Sequence, residues 1–137
     1  MPVYLGFDHG EKRIGVALGD DLTGAARPLP ALADGDWAAI ERIITEWRPA
    51  ALIVGLPLNE DGAEQKASVA ARRFAAQLAQ RYRLPVHHVD ERYSSRAADD
   101  ALRDARASGR MTRRIRKGDR DAQSARVILE QWLAGES

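Results

Sequence analysis

The chain opens with Val3-Tyr4-Leu5-Gly6-Phe7-Asp8-His9-Gly10-Glu11-Lys12-Arg13-Ile14-Gly15-Val16-Ala17-Leu18, and the reading of this stretch decides the fold. Val3 to Phe7 is apolar and partly β-branched or aromatic, as a strand requires, and it closes on Asp8. His9 to Lys12 reads as a turn, and Arg13 to Leu18 as a second strand. So short a connection joins antiparallel neighbours, so the chain begins with a hairpin. A third, weaker extended segment is expected near Ala26 to Leu32. There Pro28 and Pro30 fit only an edge strand, because proline cannot donate to a ladder.

Beyond the hairpin, helix and strand patterns alternate. Asp34-Gly35-Asp36 offers a helix start; Trp37, Ile40, Ile43, Ile44 and Trp47 follow at three- and four-residue spacing, and Pro49 ends the pattern. Ala51 to Leu56 is an uninterrupted apolar run, as for a central strand covered on both faces. Its exit, Pro57 to Gly62, is a polar loop. A helix over about Ala63 to Tyr82 would turn Ala67, Ala70, Ala71, Phe74 and Leu78 inward. Val86 to Val89 is a further strand, ending at Asp90-Glu91. A short helix is expected over Ser95 to Ala107, then a flexible basic loop over 108–118. A final helix over about Asp119 to Leu133 would bury Ala122, Ala125, Leu129 and Trp132. The order β-β-β-α-β-α-β-α-α implies an α/β fold with a mixed five-stranded sheet flanked by helices. Its 137 residues are expected to form a single domain.

Composition narrows the classes. No apolar run approaches the roughly 18 to 20 residues needed to span a membrane. The N-terminus lacks the pattern of a secretory signal. There is no cysteine, which excludes disulfides and thiolate metal sites. A cytoplasmic location is the expectation. The net charge of +1 conceals an asymmetry: from Arg92 to Arg120, ten Arg/Lys stand against four acids, a net of +6. Such a segment points to a polyanionic partner.

Acidic residues recur beside turns and strand ends: Asp8, Asp61, Asp90-Glu91 and Asp119/Asp121. Carboxylates at the ends of buried elements are costly unless a cation binds them. Three converging from distant parts of the chain would form an all-oxygen site suited to Mg²⁺ or Mn²⁺. Asp90 and Glu91 fall at the carboxyl end of a strand, where sites gather in such sheets. Being adjacent, they point to opposite faces, and periodicity does not say which of them faces Asp8. Gly10 would leave room beside Asp8 for a phosphate or metal. Hairpin capping and the helix dipole are the structural alternatives for Asp8 and for Asp119/Asp121. His87 and His88 alternate faces and His9 is isolated, which argues against a histidine metal site. Ser94 and Ser95 lie in no nucleophile elbow, and the glycines lack the Lys-Ser/Thr of a P-loop. Metal-binding acids beside a basic segment suggest phosphodiester chemistry.

Four motifs in order resemble one family. LGFDHGEKRIGVALGD, LIVGLPLNEDGAEQKASVAARRFAAQL, VDERYSSRAADDAL and DRDAQSARVILEQWL are similar to segments of the YqgF family of small ribonuclease H-like, RuvC-like proteins. The resemblance runs nearly end to end. It implies a ribonuclease H-like fold and a two-metal phosphodiesterase using Mg²⁺ or Mn²⁺, with Asp8, Glu91 and Asp121 as both catalytic and metal-binding residues. It further implies processing of the 5′ end of precursor 16S ribosomal RNA, or resolution of Holliday junctions. The sequence departs from the family pattern at Ser95, where threonine is common, at His9, where an aromatic is common, and at Arg120, where an aliphatic is common. None of these removes a carboxylate, but Arg120 places a charge beside the third acid.

Lys12, Arg13, Arg92, Arg113 and Arg114 are the expected backbone-holding bases, with Asn59 as a further contact. Pre-ribosomal RNA is the favoured partner, mainly by resemblance, and branched DNA the alternative. Aromatics are few and do not interleave with the basic run, so no single-strand stacking platform is indicated. Junction resolution would need two active sites and hence a homodimer, for which no heptad or large apolar stripe argues. A non-catalytic nucleic-acid-binding module is the main rival. A nucleotide-binding fragment of the actin and sugar-kinase type is disfavoured, since the chain lacks a second lobe.

Overall fold

A computed structural model of the chain describes residues 2–59, 61–91 and 117–135. Its strands are β1 (Val3–His9), β2 (Arg13–Asp20), β3 (Ala26–Ala33), β4 (Ala51–Leu56) and β5 (Val86–Asp90). The helices are α1 (Trp37–Trp47), α2 (Lys66–Tyr82) and α3 (Lys117–Leu133). The five strands form one sheet in the order β3-β2-β1-β4-β5. β1 pairs antiparallel with β2 and parallel with β4, and β4 parallel with β5. The expected mixed sheet is therefore present, with proline-bearing β3 at an edge.

Alternation along the strands divides the core. Leu5, Phe7, Ile14, Val16, Leu18, Leu52, Val54 and Leu56 face α1 and α2, where Ile40, Ala71, Phe74 and Leu78 meet them. The opposite face carries Ala17, Ala51, Ile53 and Val89 against Ala125, Ile128 and Leu129 of α3. Burying a large aliphatic or aromatic side chain contributes about 1.5–3 kcal/mol, so the first face supplies most of the hydrophobic stabilisation.

Several boundaries differ from the sequence reading. β1 runs on through Asp8 to His9, which pairs with Ile14. α2 starts at Lys66 rather than near Ala63. The residues between are engaged otherwise: Leu58 bridges to Glu64, and Ala63 N–H donates to Asp61 Oδ1 at 2.9 Å. Ser68 then ties the helix start down, its hydroxyl accepting from Gln65 N–H at 3.0 Å and donating to the Pro57 carbonyl. That anchor turns Ser68 and Ala75 inward and leaves Ala67 exposed and Ala70 half-buried, contrary to the expected stripe. α3 already includes Lys117 and Gly118, which the sequence reading placed in the preceding loop. The helix expected over Ser95 to Ala107 and the rest of that basic loop lie outside the described residues. Among the described residues, no helix is long and apolar enough to cross a membrane.

Candidate active site

β1, β4 and β5 are parallel, so their carboxyl ends share one edge of the sheet. With Leu5 and Phe7 turned toward α1 and α2, Asp8 faces α3. Glycine flanks it on both sides. Gly15 is its partner on β2, and Gly55 follows Val54, the partner of Phe7 on β4.

Each glycine admits a close approach. A Cβ on Gly15 would lie 1.9 Å from the backbone oxygen of Asp121, and one on Gly6 would lie 2.8 Å from Leu129 Cβ. One on Gly55 would lie 2.2 Å from Glu91 Oε2 and 2.4 Å from Ile128 Cδ1. The β2–β3 register also shifts between Ile14 and Val16, where Gly15 opposes two residues of β3, Pro30 and Ala31. This bare floor lets α3 settle onto the sheet and bring Asp121 toward Asp8. Sequence reasoning missed Gly6, Gly15 and Gly55 as site residues. Their signal was available: a glycine inside a strand pattern often marks close backbone approach.

The choice between Asp90 and Glu91 is resolved by register. Asp90 pairs with Leu56 and is exposed, whereas Glu91 follows β5 with its N–H donating to the Leu56 carbonyl at 3.1 Å. Val89, two residues earlier, packs under α3. Glu91 therefore reaches over Gly55 and hydrogen-bonds Asp8.

Two half-buried carboxyls in contact cannot both ionise readily. Burial, then the charge of Asp121, raise the Asp8 carboxyl to about 6, against the hydrogen bond from Glu91 and the charges of His9 and Arg120. Burial, then the charge of Asp8, push Glu91 up to about 9. Glu91 thus holds the proton and donates it to Asp8. Its Oε2 is buried without a hydrogen-bond partner.

Asp121 accepts from Arg13 Nε at 2.8 Å, so the third acid is tied to the hairpin. Gly10, Glu11, Lys12, Arg13 and Asp121 line a cleft of about 300 Å³. Gly10 lies on that cleft, and the turn requires glycine there because its N–H donates to the Arg13 carbonyl at 2.9 Å, where a Cβ would collide. His9 takes over the packing of an aromatic: its ring lies 4.9 Å from that of Phe74, and its Nε2 is 3.1 Å from Asp34 Oδ1. Asn59 is exposed in the loop beyond β4, its backbone closing the loop with Gly62 and Ala63. Arg92, Arg113 and Arg114 lie outside the described residues.

The donors suit a hard divalent cation. Asp8 and Glu91 form a pair of oxygen donors, and Glu91 Oε2 lacks a hydrogen-bond partner. Among the described residues, no group of three His, Cys, Asp or Glu side chains is placed to hold a metal ion, and Asp121 is turned to Arg13.

Residues 2–135 match the family described as RuvX, Holliday junction resolvase. The chain belongs to the RuvX family. A Legionella pneumophila protein named "Putative pre-16S rRNA nuclease" is 50% identical over 135 residues, covering 96% of this chain and 94% of its own. A Cupriavidus necator protein of the same name is 46% identical over 133 residues, covering 94% and 86%. Among solved structures, T. thermophilus RuvC in complex with Holliday junction substrate superposes with a TM-score of 0.63 at 17% identity, covering 98% of this chain and 95% of that one. That likeness identifies the fold as RuvC-like, hence ribonuclease H-like, as the resemblance to the YqgF family implied.

Proposed function

We propose that this RuvX protein is a cytoplasmic, divalent-metal-dependent endonuclease that hydrolyses phosphodiester bonds and processes the 5′ end of pre-16S ribosomal RNA. The observation that carries the reading is the Asp8–Glu91 pair, two carboxyls in contact over a glycine floor and raised by burial, Glu91 further by the charge of Asp8 and Asp8 further by that of Asp121. The names carried by relatives at 46–50% identity support the RNA substrate.

Asp8, Glu91 and Asp121 are the residues that would hold the divalent metal. Mg²⁺ or Mn²⁺ held there supplies an activated water and stabilises the leaving oxygen. Glu91 would have to give up its proton to act as a ligand, which would couple binding to pH. Arg13 keeps Asp121 directed at the cleft, and Lys12 and Arg13 on its wall would hold phosphate oxygens. Asn59, Arg92, Arg113 and Arg114 would hold the flanking strand.

Cleavage of precursor 16S ribosomal RNA and of a four-way DNA junction, run side by side with Mn²⁺, with EDTA and with Asp8→Asn, tests the reading. RNA cleavage lost in EDTA and in the variant is expected. The loss should exceed the roughly 10- to 100-fold typical of removing an outer-shell partner. Junction cleavage alone would favour the second reading, Holliday junction resolution, which the family description suggests. Binding of either nucleic acid without cleavage would favour a non-catalytic module.

A further inference from the structure

The basic segment from Arg92 to Arg120 is not the only one in the chain. Between Gln65 and Val89 stand Lys66, Arg72, Arg73, Arg81 and Arg83, with no Asp or Glu. This stretch is α2 with the start of β5, on the layer opposite α3.

The helical period sorts these bases. α2 buries Ser68, Ala71, Phe74, Ala75 and Leu78. Directly opposite, at three- and four-residue steps, Lys66, Val69, Arg73, Gln77 and Gln80 form an outer ridge, and Arg83 follows at its end. All are exposed. Val69, at 52% exposure, is one of two large hydrophobics so displayed among the described residues. Arg72 and Arg81 flank the ridge and are already engaged, Arg72 with Glu64 and Arg81 over the Trp37 ring at 4.2 Å. Lys66, Arg73 and Arg83 have no hydrogen-bond or ion-pair partner for their side chains among the described residues.

A solvated surface helix ordinarily mixes both signs, with Glu–Lys pairs at i,i+4. This ridge carries three cations, two amides and Val69, with no acid among them. Self-association through it would bring like charges together. Arg83 ends α2 at φ 54, in the left-handed region where glycine is the low-strain choice, as Arg48 ends α1 at φ 47.

We infer that the outer ridge of α2 binds the sugar-phosphate backbone of a nucleic-acid stem flanking the cleavage site. The 17 residues of α2 span about 25 Å, which would carry the grip over several nucleotides away from the carboxylates. Lysine and arginine hold phosphates, and Gln77 and Gln80 offer amides to sugar hydroxyls or base edges. The inference rests on the nucleic-acid reading of the site but not on cleavage.

The test is fluorescence anisotropy of a labelled RNA stem-loop, and of a DNA stem-loop of the same sequence, in EDTA across a salt titration. The full chain is compared with its Lys66→Gln/Arg73→Gln/Arg83→Gln variant. Loss of three phosphate contacts should weaken binding about tenfold or more and lower the slope of log K against log salt by roughly 2 to 3. Arg42→Gln, an exposed base on α1, should change affinity far less per charge removed. Arg83→Gly should raise the melting temperature while still weakening binding, which separates contact loss from misfolding.

Unchanged affinity and slope in the triple variant would overturn the proposal, as would an equal effect per charge from Arg42→Gln. So would a dimer that the triple variant loses while nucleic-acid affinity holds. If the wild type cleaves RNA yet the triple variant binds normally, the ridge proposal alone fails. If binding depends on the ridge but no cleavage occurs, the nuclease reading fails and the ridge stands.

Discussion

The two faces of the sheet are built on opposite principles. Against α1 and α2 the strands present Leu5, Phe7, Ile14, Val16, Leu52 and Val54, all fully buried. Against α3 the same strands present Gly6, Gly15, Ala17, Ile53 and Gly55. The first face is thick and apolar. The second is thin, and the space saved is occupied by a helix backbone and two carboxyls. Stability and chemistry are thereby assigned to different sides of strands that are continuous in sequence, and substitutions on the two sides should have separable consequences.

The largest loss of stability should come from the thick face. Leu52→Ala leaves a cavity and should cost about 2–5 kcal/mol in urea unfolding, while Mn²⁺ affinity measured by calorimetry stays near wild type. A matching loss of metal affinity would break the division. Gly15→Ala on the thin face is next: overpacking costs about 1–3 kcal/mol, and the displaced group is the Asp121 backbone rather than a flexible side chain. Here Mn²⁺ affinity should fall with stability, by at least about tenfold, the scale of disturbed outer-shell support. The smallest change in stability belongs to Arg13→Gln. The Arg13–Asp121 pair is partly exposed, 37% and 26%, so its loss should cost less than about 1 kcal/mol. Nucleic-acid cleavage should nevertheless drop, because the cleft wall loses its guanidinium and Asp121 its tether.

The thick face was legible from sequence because unbroken apolar runs such as Ala51 to Leu56 admit one reading. Asp8 was legible as the polar end of such a run. Glu91 was not separable from Asp90 by pattern, since two adjacent residues differ only in which face they take. That choice is set by the pairing of Asp90 with Leu56, a contact between distant segments. The phase of α2 was obscured for another reason. Ala67, Ala70, Ala71, Ala75, Ala76 and Ala79 are nearly equivalent in size, so the alanines do not specify a buried stripe. Ser68 fixes it through bonds to Gln65 and Pro57. The glycine floor was overlooked because the glycines were weighed as phosphate-binding loop residues, whereas Gly15 and Gly55 act by having no side chain in the middle of strands.

The carboxyl pair also makes a prediction about pH. The folded metal-free protein binds the Glu91 proton more tightly than the unfolded chain does. The stability this contributes is complete below the ordinary glutamate range and is lost as pH rises through about 9. Asp8 adds a smaller effect of the same sign up to about 6. A divalent cation should replace the proton, so its stabilising effect should grow as pH rises.

The most direct measurement is thermal unfolding of the wild type and Glu91→Gln from pH 5 to 9, in EDTA and in Mn²⁺. The account predicts that the metal-free wild type loses melting temperature toward high pH and that Mn²⁺ restores it increasingly. Glu91→Gln should be more stable than the wild type at pH 9 in EDTA and gain little from Mn²⁺. An equal Mn²⁺ shift in both proteins, or none in the wild type, would contradict the claim that these carboxyls form a cation site.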